Sequence, residues 1–361
     1  MSKNKLILFF LIANILFFPF LEISARIFLS IKEQSLDFIA YGFKDTGKGK
    51  YTIITGQDGK MLYAKGLPSK NRLNPVNSLG FRGHEINEKK TTTTRIVCLG
   101  GSTTYGSGLD HCDTYPKLLQ DMLDKKFGEG RFEVINTGMP AFSLSNIIIL
   151  VKKEIIYLHP DIVILMNLNN NFEVPGINFV GFDFGQKAGR FYKLKRFVVT
   201  HLALGFIVNE AVNSIIGSPE ARYYKHWDWQ AYSRALMSPD NIWQAKFEQN
   251  LDQLMEVLFK SNPSVKVILV EEACNFTDYP AMQAPFEKAK EILRKSVRLN
   301  KNIHTVSIQE AIVDAAQKGE QVWQEPWWDP LHLSRQGNEI IAELLAEDLF
   351  ATLTNAQPVM P

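Results

Sequence analysis

The sequence predicts an α/β protein: a doubly wound, parallel sheet of about five strands, carried behind an N-terminal transmembrane helix. Three observations predict it. Short β-branched runs alternate with amphipathic stretches about five times between residues 95 and 352. Two of those runs, RIVCL and PDIVILM, are almost wholly apolar, as strands buried on both faces are. The chain also opens with LILFFLIANILFFPFL from Leu6 to Leu21, continued by EISARIFL, which together supply the roughly 20 residues a bilayer core requires.

The elements follow in order. Residues 1–29 read as the anchor: Lys3 and Lys5 precede the apolar run, which keeps the N-terminus cytoplasmic and sends the rest outward. Glu22 and Arg26, one helical turn apart, are expected as an ion pair at the far interface. A cleavable signal peptide is the competing reading, but no small-x-small cleavage site directly follows the run. Residues 30–94 read as a juxtamembrane collar in which YTIIT and MLYAK flank Gly56-Gln57-Asp58-Gly59, a hairpin with an Asp-Gly turn. The α/β domain spans 95–352. RIVCL is its first strand, YPKLLQDMLDKKF a helix entered through Asp113 or Thr114, and FEVIN the second strand. SLSNIIILVKKEIIYL is the next helix and PDIVILM the third strand. FEQNLDQLMEVLF, VKVILV, FEKAKEILRKSVRL, HTVSI and SRQGNEIIAELLAEDLF continue the alternation. Residues 171–240 form an insertion far longer than an ordinary connection, a candidate lid. Within it His201, Gly205, Asn209 and Asn213 share one narrow polar stripe. That pattern suits a helix packed on the core, a cap over a site, or a helix at the membrane surface. Residues 353–361 are a tail.

Composition narrows the function. Of 361 residues, 40 Lys+Arg against 38 Asp+Glu leave a formal charge of +2, without the concentrated basic surface that nucleic acid requires. Hydrophobic residues at 45% and charged residues at 22% fit a globular chain and exclude a disordered one. Cys98, Cys112 and Cys274 form no C-x-x-C pair, so neither a disulfide framework nor a cysteine metal site is indicated.

Chemistry is sought at the carboxyl ends of the strands, where ligands bind on such sheets. The first strand ends in Gly100-Gly101-Ser102-Thr103-Thr104. A phosphate-binding P-loop is excluded, because Ser107 stands where its lysine must be. The G-x-S-x-G nucleophile elbow also fails, since Thr104 occupies its last glycine position. Near the C-terminus, Asp329-Pro330-Leu331-His332-Leu333-Ser334 precedes the last helix. An aspartate three residues before a histidine can hold the Nδ1 proton and leave Nε2 as a general base, so Ser102 would complete a triad. A structural turn serine, a structural histidine and a metal site are the alternatives, although no cluster of histidines and carboxylates elsewhere supplies ligands.

At these residues the sequence resembles the SGNH/GDSL hydrolase family. Gly100-Gly101-Ser102-Thr103 resembles its first block, and Asp329, His332, Leu333, Ser334 and Gly337 its last. Val134-Ile135-Asn136-Thr137-Gly138-Met139-Pro140-Ala141 resembles the second, with Ala141 where the family has its oxyanion glycine. The third block lies at Pro160 to Asn171, with Asn170 in register with the oxyanion asparagine, Leu168 replacing a glycine and Asn171 an aspartate. Asn77 to Gly83, NSLGFRG, is similar to a lead-in of membrane-anchored bacterial members.

The resemblance implies a flavodoxin-like SGNH hydrolase fold and a division of labour. Ser102 is then the nucleophile, His332 the base and Asp329 its orienter. The Ser102 and Ala141 backbone N–H groups and the Asn170 side chain form the oxyanion hole, with no cofactor and no metal. Trp327, Trp328 and Asn171 are candidate substrate contacts, the indoles stacking on sugar rings; aromatic core is the alternative for the tryptophans, including Trp323. The expected activity is removal of O-acyl groups, O-acetyl above all, from a carbohydrate or a lipid-linked ester outside the cytoplasm. An O-acetyltransferase using the same acyl-serine and a noncatalytic glycan-binding or assembly protein remain as alternatives.

Overall fold

The computed structural model describes residues 17–27, 51–55, 61–66, 75–86, 93–140, 142–173, 204, 208, 228–298, 300–324 and 330–354. The chain divides into two compact units: residues 1–50 with 183–224, and residues 51–182 with 225–361.

In the first unit residues 17–27 are helical. Arg26 Nε donates to Glu22 Oε1 at 2.9 Å, the one-turn pair expected from the sequence. Glu22 is buried and its second oxygen accepts the Leu204 N–H at 3.0 Å. The pair therefore also ties the insertion to the N-terminal segment. Phe17, Phe18, Phe20, Ile23 and Ile27 are exposed. Among the described residues no helix is long and apolar enough to cross a membrane. Most of the apolar run, residues 6–16, lies outside them, as does the polar stripe at His201, Gly205, Asn209 and Asn213.

The second unit holds the sheet. After the antiparallel hairpin β1 (Tyr51–Thr55) and β2 (Met61–Gly66) come β3 (Thr94–Gly100), β4 (Phe132–Asn136), β5 (Ile162–Met166), β6 (Lys266–Glu271) and β7 (Ile303–Ser307). The hairpin's Asp-Gly turn lies outside the described residues. The five later strands form one parallel sheet in the order β4-β3-β5-β6-β7. This is the expected doubly wound sheet, and its apolar strands explain it. Ile96, Cys98, Ile164, Met166, Ile268 and Val270 line one face. Val97, Leu99, Val163, Leu165, Val267 and Leu269 alternate with them and are equally buried on the other.

Helices cover both faces. They are α1 (Ser102–Tyr105), α2 (Tyr115–Phe127), α3 (Leu144–Lys153), α4 (Trp229–Leu236), α5 (Trp243–Ser261), α6 (Gln283–Val297), α7 (Gln309–Gln317) and α8 (Arg335–Thr354). Tyr115, Leu119 and Leu123 of α2 meet Ile341, Leu345 and Leu349 of α8 over the first face, while α3, α5 and α6 pack together over the second. The helix expected over SLSNIIILVKKEIIYL ends at Lys153, and Ile155–Leu158 continue as a 3₁₀ turn.

Strand β3 pairs with both β4 and β5, so the chain must cross over β3 between them and its winding reverses there. At such a switch point the loops after the two central strands diverge and leave a crevice at their carboxyl ends. Residues 75–86, read from sequence as part of a collar, belong to this unit and pack into the α/β body. Arg82, 3% exposed, donates to the carbonyls of Tyr105 (2.7 Å), Gly106 (2.8 Å) and Leu109 (2.5 Å), at the end of α1 and just beyond it.

Candidate active site

Ser102 opens α1 directly after β3 and Gly101. In the sheet register Gly100 lies opposite Met166, so the turn after β3 and the loop after β5 leave the sheet side by side. Gly101 is required by that closeness: a Cβ there would collide with the Asn170 amide nitrogen. Thr104 is buried, donates to the Met166 carbonyl at 3.5 Å and accepts the Tyr115 hydroxyl at 3.3 Å. It fills the space beneath the turn, a structural use that an elbow glycine could not serve. As the first residue of α1, Ser102 has a backbone N–H without an intrahelical acceptor.

His332 is positioned by a short antiparallel pairing between Trp323 and Leu333. Gln324 N donates to the His332 carbonyl (3.0 Å) and Ser334 N to the Val322 carbonyl (2.8 Å). The Gln324 carboxamide donates to Ser107 O at 2.8 Å and Leu333 O at 3.0 Å, which ties the histidine segment to the turn behind the nucleophile. Gly337 permits the close approach, since a Cβ would lie 2.5 Å from the Val322 carbonyl oxygen. Ser334 caps α8 by accepting the Gly337 N–H at 3.3 Å. The outcome is a 2.8 Å hydrogen bond between His332 Nε2 and Ser102 Oγ, across 230 positions of sequence. Asp329 lies outside the described residues.

The loop after β5 supplies the amide. Asn170 Nδ2 donates to Phe142 O at 2.9 Å and its Oδ1 accepts from Asn169 Nδ2 at 3.3 Å, so the carboxamide is fixed with its nitrogen against Gly101. An amide nitrogen carries two hydrogens, and this arrangement uses one. Ala141, beside Phe142, lies outside the described residues, as do Trp327 and Trp328. Trp323 is part of the hydrophobic core.

Asn171 takes a place different from the one expected. It is 6% exposed; its Oδ1 accepts the Leu144 N–H at 2.8 Å and its Nδ2 donates to Asn167 O (2.8 Å) and Asn167 Oδ1 (2.7 Å). A carboxamide so committed pins the loop to the start of α3 and has little left for a substrate. Among the described residues no group of three His, Cys, Asp or Glu side chains could hold a metal ion.

No protein-family model matches the chain, and neither does any curated protein. Solved structures do. A lipase/acylhydrolase from Enterococcus faecalis is 15% identical, with a TM-score of 0.46, covering 72% of this chain and 97% of its own. A lipolytic protein of the G-D-S-L family from Veillonella parvula is 14% identical, with a TM-score of 0.41, over 72% and 99%. An acetylxylan esterase from Geobacillus stearothermophilus is 15% identical, with a TM-score of 0.43, over 72% and 96%. The structural neighbours are thus GDSL lipolytic proteins and acetyl xylan esterases.

Two residues of this neighbourhood escaped the sequence reading. Arg82 was visible only as part of NSLGFRG, with nothing to say that it would reach carbonyls more than twenty positions away. Glu272 follows β6 and is buried; its Oε2 accepts the Leu168 N–H at 2.8 Å and the Asn169 N–H at 3.2 Å. Burial raises its pKa above the ordinary carboxylate value, opposed by those two N–H donors and by the nearby His332. Its signal in the sequence was two glutamates at the carboxyl end of VKVILV, where a buried strand meets the binding edge of the sheet.

Proposed function

We propose that the chain is a membrane-anchored, extracytoplasmic serine esterase of the SGNH/GDSL type that removes O-acyl groups, O-acetyl above all, from a carbohydrate or related ester. The observation that carries the reading is the Ser102–His332 hydrogen bond at the switch point of the sheet, with the Asn170 amide beside it. A serine hydroxyl is a weak nucleophile until a base takes its proton, and His332 Nε2 is placed to do so as Oγ attacks the ester carbonyl. The Ser102 N–H and the Asn170 amide then meet the oxyanion, and Ala141 N–H is assigned the third position. His332 passes its proton to the departing sugar oxygen, which leaves as the hydroxyl and leaves an acyl-Ser102. Water, deprotonated by His332 in turn, attacks that ester; the imidazolium then returns the proton to the departing Ser102 Oγ, which releases the acid and restores the serine. Asp329 is assigned to hold the imidazole tautomer through Nδ1.

The anchor reading is supported by Lys3 and Lys5 ahead of the apolar run and by the exposed Phe17, Phe18, Phe20, Ile23 and Ile27. The test is incubation of the full chain in detergent with acetylated oligosaccharides, followed by mass spectrometry of the sugars and assay of free acetate. Acetate release by the wild type and none by Ser102→Ala is the expected result. With an activated acetyl ester and an unacetylated oligosaccharide, sugars that gain acetyl faster than free acetate accumulates would overturn hydrolysis in favour of transfer.

A further inference from the structure

The acyl-serine mechanism leaves one buried carboxylate beside the site without a task. Glu272 is 5% exposed, and burying a carboxylate is costly unless something in the fold uses it. Its neighbours define the use. It lines a narrow crevice with Thr103, which follows the nucleophile, with Asn169, which precedes and bonds the Asn170 carboxamide, and with Leu331 and Leu333, which flank His332. One carboxylate therefore shares a crevice with the chain neighbours of all three parts of the proposed site.

We propose that Glu272 is a positioning residue of this site, bracing the loop that carries Asn170 and holding negative charge against His332. The inference rests on the esterase reading and assigns it a residue beyond the serine, histidine and aspartate. The bracing follows from the two N–H groups of Leu168 and Asn169, which converge on Oε2 at the start of the Asn169–Asn171 turn. Asn170 sits inside that turn, so the carboxylate sets where its amide points. The electrostatic part follows from the chemistry. His332 becomes an imidazolium as Ser102 attacks, and a fixed negative charge nearby favours that form in the transition state. Two other titratable groups among the described residues bear on Glu272: the Tyr115 hydroxyl feels its charge from α2, and Cys98 on β3 lies beside Tyr115. Burial pushes the Cys98 thiol to about 12 and the Tyr115 hydroxyl well above its ordinary value, so both are neutral through the working range and neither adds a negative charge beside Glu272.

The test uses full-length Glu272→Gln and Glu272→Ala. Glutamine keeps an oxygen that can accept both N–H groups while removing the charge and turning the second oxygen into an NH2 donor; alanine removes the acceptor and the charge. The His332 imidazole is titrated by NMR, its resonance identified by loss in His332→Ala, and kcat and KM for an activated acetyl ester are measured against pH. In Glu272→Gln the imidazole pKa should fall by about one unit and the plateau of kcat/KM by about tenfold, with KM nearly unchanged. The acid limb of the profile then moves to lower pH, because a histidine stripped of a negative neighbour gives up its proton sooner. Glu272→Ala should lose more, and if it fails to fold the glutamine variant decides alone. An unmoved His332 titration in Glu272→Gln would overturn the proposal, whether activity falls or not. A shifted titration in a protein whose wild type turns over no ester would count against the esterase reading and for the role of Glu272.

Discussion

At the scale of single residues, the site depends on side chains that have few alternatives. Asn170 has its oxygen held by Asn169 and one N–H held by Phe142, two bonds that together set its nitrogen beside Gly101. Asn170→Ala should lower kcat by roughly 10²–10³-fold with KM little changed, as the loss of one oxyanion donor does, and steady-state kinetics will show it. A second residue bears on stability and not on chemistry. His111 is buried under the positive charges of Arg82, His84 and Lys117, with the His84 ring edge-on at 5.6 Å. Burial first, and those charges next, push its pKa from 6.5 down to about 3. The unfolded chain takes up a proton below pH 6.5 that the folded chain refuses until about 3, so stability is lost as pH falls through that window. Denaturant titrations of His111→Gln should show a shallower loss between pH 6.5 and pH 3 than the wild type, by up to one proton's worth of slope.

At the scale of elements, two glycines distinguish a catalytic constraint from a folding one. A Cβ on Gly101 meets the end of a side chain, Asn170 Nδ2, which can swing away; a Cβ on Gly337 meets the Val322 backbone carbonyl, which cannot. Gly101→Ala should therefore fold with a melting temperature near that of the wild type and lose about 10²-fold or more in kcat. Gly337→Ala should lose stability, by about 1–3 kcal/mol, because the pairing that holds His332 must part. Thermal unfolding and kinetics on both variants check the contrast. These elements also show what the sequence could disclose. The parallel sheet was legible because strands buried on both faces must be apolar, as RIVCL and PDIVILM are. The meeting of Ser102 and His332 was legible because their blocks sit at a strand end and a helix start. Asn171 was misjudged because sequence spacing cannot reveal that a loop carboxamide will spend its hydrogen bonds on Leu144 and Asn167. Arg82 and Glu272 stayed hidden for a related reason: each acts through backbone groups distant in sequence, and backbone partners leave no residue-type signature.

At the scale of the whole molecule, the sheet brings together residues from three distant parts of the chain, and the proposed anchor carries a prediction about which compartment they serve. Lys3 and Lys5 predict a cytoplasmic N-terminus, so a C-terminal fusion of a periplasm-only reporter should be active and a cytoplasm-only reporter silent; the reverse would overturn the topology. Acylation of Ser102 with His332 as its base can be tested without the glycan or the membrane. The full chain is treated with an activated ester that leaves a slowly hydrolysed acyl group, and the labelled position is found by peptide mapping and mass spectrometry. Label on Ser102 is expected, with none in Ser102→Ala and a labelling rate at least roughly 10³-fold lower in His332→Ala. Label on another residue, or an undiminished rate in His332→Ala, would contradict it.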